Sequence, residues 1–207
     1  MPDPSLSAAI REAYASAPSD VVTLHTMELR HPTFDAPIRV VLNYPDIATW
    51  LALNPVAVQA VLDALPPPDA DGDPRDGVGL VARLEATAPA NPGQMVAFVA
   101  MAFEFELPPV ESVAVPEIML AMDSVGREIS DQLELAAIST DKIEVTYRPY
   151  LSTDIEGPEM DPPLTMTLSD VEANPLRVTG RARLIDFGGK AFPAELYTAK
   201  RFPSLAR

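Results

Sequence analysis

The chain has no cysteine and only two histidines, His25 and His31, in 207 residues. The missing thiols exclude disulfides, thiolate catalysis, and cysteine-ligated zinc or iron–sulfur clusters. Their absence fits a reducing compartment. Basic residues are scarce as well, 15 against 30 acidic ones, for a formal charge of −15. Phosphate neutralisation therefore cannot drive binding over most of the surface, and specific nucleic-acid binding is not expected. The longest apolar run, MVAFVAMAFEFEL over 95–107, is too short to cross a bilayer, so no membrane insertion is expected. The opening MPDPSLSAAIREAY lacks a basic region followed by an apolar run, so no signal peptide is read there. No GxGxxG, GxxxxGK[ST], GxSxG or HExxH pattern occurs, so nothing in the sequence supports a nucleotide-binding, hydrolase or metalloprotease site.

Proline and aliphatic residues are plentiful. There are 23 prolines, and hydrophobic residues make up 47% of the chain. That hydrophobic content suits a folded core, and that many prolines suits short strands and long loops. Residues 4–17 predict a helix, with Leu6, Ile10 and Tyr14 at spacing four. VVTLHTMELRH (21–31) and IRVVL (38–42) predict a hairpin across HPTFDAP. PVAVQAVLDAL (55–65) opens on a proline suited to a first helical turn. PPPDADGDPRDG (66–77) reads as a loop. Further strands are predicted at 79–85, 95–107, 117–123, 143–151, 163–169 and 175–187, the last with Gly180 at a bulge. Within 95–107, Met95, Ala97, Val99, Met101, Phe103, Phe105 and Leu107 share one parity and predict a single buried face. Residues 124–137 predict a helix with an apolar stripe of Val125, Ile129 and Leu133. The fold class is β-rich α+β: antiparallel sheets forming a sandwich or barrel with two or three short helices. The chain reads as one domain over 1–207, with 52–77 as an inserted helix and acidic loop dispensable for folding.

Two acidic stretches invite chemistry. In DADGDPRDG, Asp69, Asp71 and Asp73 alternate as in a calcium loop. Pro74 stands where the loop needs glycine and Leu80 where it needs a bidentate glutamate, so no metal is assigned. Between the strands at 143–151 and 163–169 lie Asp154, Glu156, Glu159 and Asp161, interleaved with prolines. That loop can be read as a metal site, an acid–base pair or a contact surface. Its carboxylates lack regular ligand spacing, and its polarity argues against the burial that raises a carboxyl pKa. His25 reads as a strand-face residue, and Trp50 and Tyr44 as packing groups. No catalytic residue, metal or cofactor is assigned, and no enzymatic activity is expected.

Charge is unevenly spread. Residues 175–207 carry seven basic and two acidic residues, net +5, which leaves −20 on the remainder of a chain whose total is −15. Two readings stand side by side: head-to-tail contact between copies, or a basic terminal strand folded against its own acidic domain. Arg177, Arg181 and Arg183 share one parity and so one strand face, leaving Val178, Ala182 and Leu184 for the core.

Five stretches together carry a resemblance: EAYASAPSDVVTLHTMELRHP (12–32), AFEFELPPV (102–110), IMLAMDSVGREISDQLELAA (118–137), IEVTYRPYLSTDIEGPEMDPPLTMTL (143–168) and RARLIDFGGKAFPAELYTAKRFPSL (181–205). The chain resembles a family of tailed-bacteriophage and prophage proteins, of formerly unknown function, whose genes usually follow the tape-measure gene. The resemblance covers nearly all of the chain outside about 52–77. More loosely, it is similar to the N-terminal part of the lambda-like minor tail protein L, a tail-hub protein with an iron–sulfur cluster in its C-terminal part. With no cysteine here, the cluster does not carry over. The resemblance implies a structural component of the virion tail tip, a distal-tail or hub subunit in a homo-oligomeric ring, hexameric or trimeric. Its partners would be the tail tube, the tape measure and other tail-tip proteins, with DNA passing through the ring. Synthesis would be in the host cytoplasm. Asp154, Glu156, Glu159 and Asp161, on a rigid projecting loop, and Arg177, Arg181 and Arg183 are then the expected interface. The alternatives are a tail-assembly factor absent from the mature particle, and a tail-tip cell-wall hydrolase using carboxylates of 154–161.

Overall fold

A computed structural model describes residues 6–16, 18, 20–68, 72–105, 117–123, 132–133, 135–136, 138–173 and 177–184. The β-branched stretch after residue 20 forms β1 (Thr23–Arg30), and β2 (Ile38–Val41) returns along it with Met27 opposite Val40. On its other side β1 pairs along its whole length with β7 (Ile143–Leu151), from Thr23↔Leu151 to Arg30↔Glu144. The remaining strands are β3 (Val78–Arg83), β4 (Met95–Ala100), β5 (Phe103–Phe105), β6 (Glu117–Asp123), β8 (Leu164–Ala173) and β9 (Arg177–Leu184). All nine join one sheet in the order β3-β4-β2-β1-β7-β8-β9-β6-β5. Pairing is antiparallel except between β2 and β4, where Val40 and Val41 meet Val99 and Ala100 in parallel. With three α-helices among the described residues, the α+β, β-rich class holds. The sheet does not close into a barrel.

It does curl. β4 and β5 are separated only by Met101 and Ala102, yet they lie towards opposite ends of the strand order. The two ends must therefore approach each other. Ile38 and Val40 of β2 accordingly share one core with Phe103 of β5, Leu120 and Met122 of β6, and Val145, Met166 and Val178 from the strands between. Leu133 and Ala136, both helical, are buried in the same core. The rest of the helix expected over 124–137, including Val125 and Ile129, lies outside the described residues.

A second core fills the outer side of the sheet. Helices α2 (Ile47–Leu53) and α3 (Pro55–Asp63) cover β3 and β4 there; α1 (Ala8–Ser16) is the helix predicted over 4–17. Asn54 ends α2 and begins α3. Its backbone N–H donates to the Trp50 carbonyl, while its side chain accepts from the Ala57 N–H, and Pro55 fills the first helical turn. Trp50 is buried and its Nε1 donates to the Gly79 carbonyl at 3.0 Å. Val58 and Leu62, spaced four apart on α3, are buried beside it. Burying such side chains stabilises by about 1.5–3 kcal/mol each. Within the stretch 52–77, α3 thus contributes Val58 and Leu62 to the second core.

The single apolar face expected over 95–107 is corrected. The strand breaks at Met101–Ala102, and the buried parity changes there. In β4 it is Val96 and Phe98 that are buried, while Val99 is 39% exposed; beyond the break Met101 and Phe103 are buried. The physical reason is the curl: β4 feeds the outer core and β5 the inner one. The side chain of Phe105, and Leu107, lie outside the described residues. Gly180 is not itself the bulge. Ser169 pairs with Arg181 and Glu172 with Thr179, so Asp170 and Val171 of β8 bulge opposite Gly180. Asp170 takes φ 53°, and a Cβ on Gly180 would meet Leu168 at 2.9 Å.

Candidate functional site

The acidic loop after β7 lies down against the body, which corrects the expectation that it projects. Ile155 reaches the outer core and Met160 the inner one. The Ile155 carbonyl accepts from the Arg83 N–H, and the Glu159 N–H donates to the Pro149 carbonyl, both at 2.8 Å. The Glu159 carbonyl also accepts from the Ser7 N–H, and Leu6 bridges Met160. Glu156 accepts from Arg83 Nε at 2.9 Å and Asn54 Nδ2 at 2.8 Å; these two bonds, the Arg83 one first, hold its carboxyl below the usual range. Glu159 Oε2 accepts from the Ser7 hydroxyl. Asp154 Oδ1 accepts from the Glu156 N–H, and Asp161 is exposed. A general acid needs a raised carboxyl. Glu156 is shifted the other way.

The arginines lie elsewhere. On β9, Val178 and Ala182 are buried and Arg181 and Arg183 are exposed, in the alternation the sequence gives reason to expect. The side chain of Leu184 lies outside the described residues. Arg177 Nη2 sits 3.3 Å from Glu104 Oε2 of β5, a solvent-exposed pair worth about 0–1 kcal/mol. Arg183 pairs with Thr167 and Arg181 with Ser169. On the other side of β9, Glu117 of β6 stands opposite Arg183.

A buried charge cluster was not foreseen. Glu28 on β1 and Arg148 on β7 are fully buried on the outer side of the sheet. Arg39 Nε donates to Glu28 Oε2 at 2.7 Å, and Arg30 Nε lies 3.5 Å from Glu28 Oε1. Arg148 grips Glu85, just beyond β3, through Nε at 2.7 Å and Nη2 at 2.8 Å. Burial alone would push the Glu85 carboxyl up; the Arg148 bonds outweigh it and hold it below its ordinary value. Arg39 also reaches Asn91 Oδ1 at 2.8 Å, so the connection between β3 and β4 is fixed to the central sheet at two points. Three arginines are held here by two carboxylates. The cluster serves as a clamp. The available signal was a charged residue inside an apolar strand: Glu28 between Met27 and Leu29, and Arg148 between Tyr147 and Pro149.

The histidines do not meet at one centre. Half-buried His25 holds the Tyr147 hydroxyl at 2.7 Å through Nδ1, and burial lowers its pKa. Burial raises the Tyr147 phenol. His31 Nδ1 lies 2.7 Å from the Thr33 hydroxyl in the turn after β1. Tyr44, read as a packing group, is instead 86% exposed beside Leu42 and Pro45. Asp73 caps the turn at Pro74–Gly77 by accepting from the Arg75 N–H at 2.9 Å, while Asp69 and Asp71 lie outside the described residues. Among the described residues no three His, Asp or Glu side chains are grouped to hold a metal.

Open clefts lie among the described residues, three of which concern the residues singled out above. One of about 650 Å³ runs between α3 and β4, and one of about 420 Å³ lies beside Tyr44. The third, about 450 Å³, lies at the Thr167 end of the β7–β8 face, lined by Arg30, His31, Lys142, Glu144 and Thr167 among others. Against known proteins, residues 9–83 and 74–197 match the model of a family described as a domain of unknown function (DUF1833). That match runs through 52–77 as well. No curated protein matches the chain.

Proposed function

We propose that this chain, which belongs to the DUF1833 family, is a structural subunit of a phage or phage-derived tail tip, in a distal-tail or hub position between the tail tube and the receptor-binding region. The resemblance drawn from the sequence supports the tail-tip assignment. One structural observation adds to it: the acids of 154–161 lie on the loop after β7, while the exposed Arg181 and Arg183 lie on β9, with β8 between the two strands. A subunit charged oppositely at two separate places can join its copies head to tail. Such heterologous contacts close into rings when the rotation between subunits permits, threefold or sixfold. The other partners are the tail tube, the tape measure and further tail-tip proteins. A net charge of −15 lets DNA pass such a ring without being held.

A hydrolase acting through the loop acids is disfavoured by Glu156, whose carboxylate is committed to Arg83 and Asn54. A peptidoglycan zymogram tests that alternative: a cleared zone that disappears in Glu159→Gln would establish it. For the structural reading, the test is the double variant Arg181→Glu/Arg183→Glu in the producing strain. The folded variant is expected to stay out of assembled particles, and the yield of complete particles to drop. Unchanged incorporation would remove the charge argument.

A further inference from the structure

The buried charge cluster leaves three polar atoms without a bond at one place. Glu28 Oε1, Arg30 Nε and Arg148 Nη1 are buried, and none has a hydrogen-bond partner among the described residues. The side chains of Glu28 and Arg148 are 0% exposed. Each of the three groups is well bonded elsewhere: Glu28 Oε2 by Arg39 Nε at 2.7 Å, Arg30 Nη2 by Glu144 at 2.9 Å, and Arg148 Nε and Nη2 by Glu85. The remaining atoms gather around Glu28 Oε1. Arg30 Nε stands 3.5 Å from it and Arg148 Nη2 3.7 Å. Arg148 Nη1 shares its carbon with Nη2, which keeps it near the same oxygen. Both distances exceed the N–H···O range, which ends at about 3.2 Å. Polar contacts stretched this far are where a bridging water lodges, and buried polar atoms are bonded either to protein or to ordered water. The register explains the gap: Thr146, a short side chain, stands opposite Glu28, with Arg148 opposite Thr26 and Glu144 opposite Arg30.

We infer that the outer side of the sheet carries a site for one internal water between β1 and β7, which donates to Glu28 Oε1 and accepts from Arg30 Nε and Arg148 Nη1. The charge balance selects a neutral ligand. Arg30, Arg39 and Arg148 meet Glu28, Glu85 and Glu144, three cations to three carboxylates. Where the cluster meets solvent, Lys142 and Asp141 offset each other in the same way. The unmet groups are two N–H donors and one acceptor oxygen. An anion would satisfy the arginines and stand against the Glu28 oxygen; a cation would do the reverse. Water satisfies all three, and three polar partners are the usual complement of a buried water. It enters past Arg30, whose side chain is 15% exposed and lines the cleft of about 450 Å³. Hydrated in this way, the clamp leaves no charged atom of Glu28 without a partner. The inference is independent of the tail-tip reading.

The test is a high-resolution crystal structure of the full chain, with a second crystal soaked in bromide. A single density peak is expected within about 2.7–3.2 Å of Glu28 Oε1, Arg30 Nε and Arg148 Nη1, with no anomalous signal after the soak. The absence of a peak would overturn the inference. So would an anomalous peak at that position, which would make the site an anion site. In solution, oxygen-17 relaxation dispersion detects long-lived internal waters. Wild type is expected to hold more of them than the double variant Glu28→Leu/Arg148→Met, whose folding is checked by circular dichroism, because an apolar pocket stays dry. Equal signals from the two folded proteins would overturn the inference. If the variant does not fold, the two wild-type crystals decide alone.

Discussion

Arg148 of β7 and Glu85 beyond β3 are joined by two parallel hydrogen bonds of 2.7 and 2.8 Å, with the guanidinium buried beneath the connection between β3 and β4. Its Nη2 also lies 3.7 Å from Oε1 of the fully buried Glu28. This arginine therefore compensates two carboxylates, one on β1 and one in the connection after β3.

Removing it should be costly. Arg148→Met leaves Glu28 buried with less positive charge around it, and breaking a buried pair this way costs about 3–5 kcal/mol. Urea unfolding measures the loss. The double variant Glu28→Leu/Arg148→Met should lose less than the sum of the two single variants, because the second change removes the stranded charge.

The same pair sets a pH dependence. The folded Glu85 carboxyl lies below its unfolded value. Its contribution to stability is thus fully present above the ordinary glutamate range near about 4.3 and is lost as pH falls through the folded value. The urea midpoint of wild type should drop between about pH 6 and about pH 3, and that of Glu85→Gln should drop less. Equal drops would mean that other carboxylates carry the acid sensitivity.

Parity in β4 offers a sharp contrast between neighbours. Phe98 is fully buried in the outer core and Val99 is 39% exposed. Phe98→Ala should cost about 3–5 kcal/mol, and Val99→Ala should stay within about 0.5 kcal/mol of wild type. Thermal or urea melts of the two variants decide it; the reverse order would restore a single face over 95–107.

That contrast marks where the sequence could be read and where it could not. The β1–β2 hairpin, β6, β7, β8 and α3 all follow from local composition. The face change at Met101 is set by the sheet curling onto its own far edge, a long-range event with no local pattern. α2 was missed because seven residues are too few to show a helical period, and its start depends on Asp46 accepting from the Thr49 N–H. On β9 the arginine alternation was legible from parity alone. The pinned state of the acidic loop was not, since its partners Arg83, Leu6 and Ser7 are far from it in sequence. The Glu28–Arg148 clamp likewise joins residues 120 positions apart in sequence.

The central claim is that the protein is a built-in part of a tail tip. Quantitative mass spectrometry of purified, intact tailed particles from the producing cells tests it most directly. The account predicts the chain in the particles at a fixed ratio to the other tail-tip proteins, three or six copies per tail. Its presence in the lysate with absence from the finished particles would contradict the claim and favour a role confined to assembly.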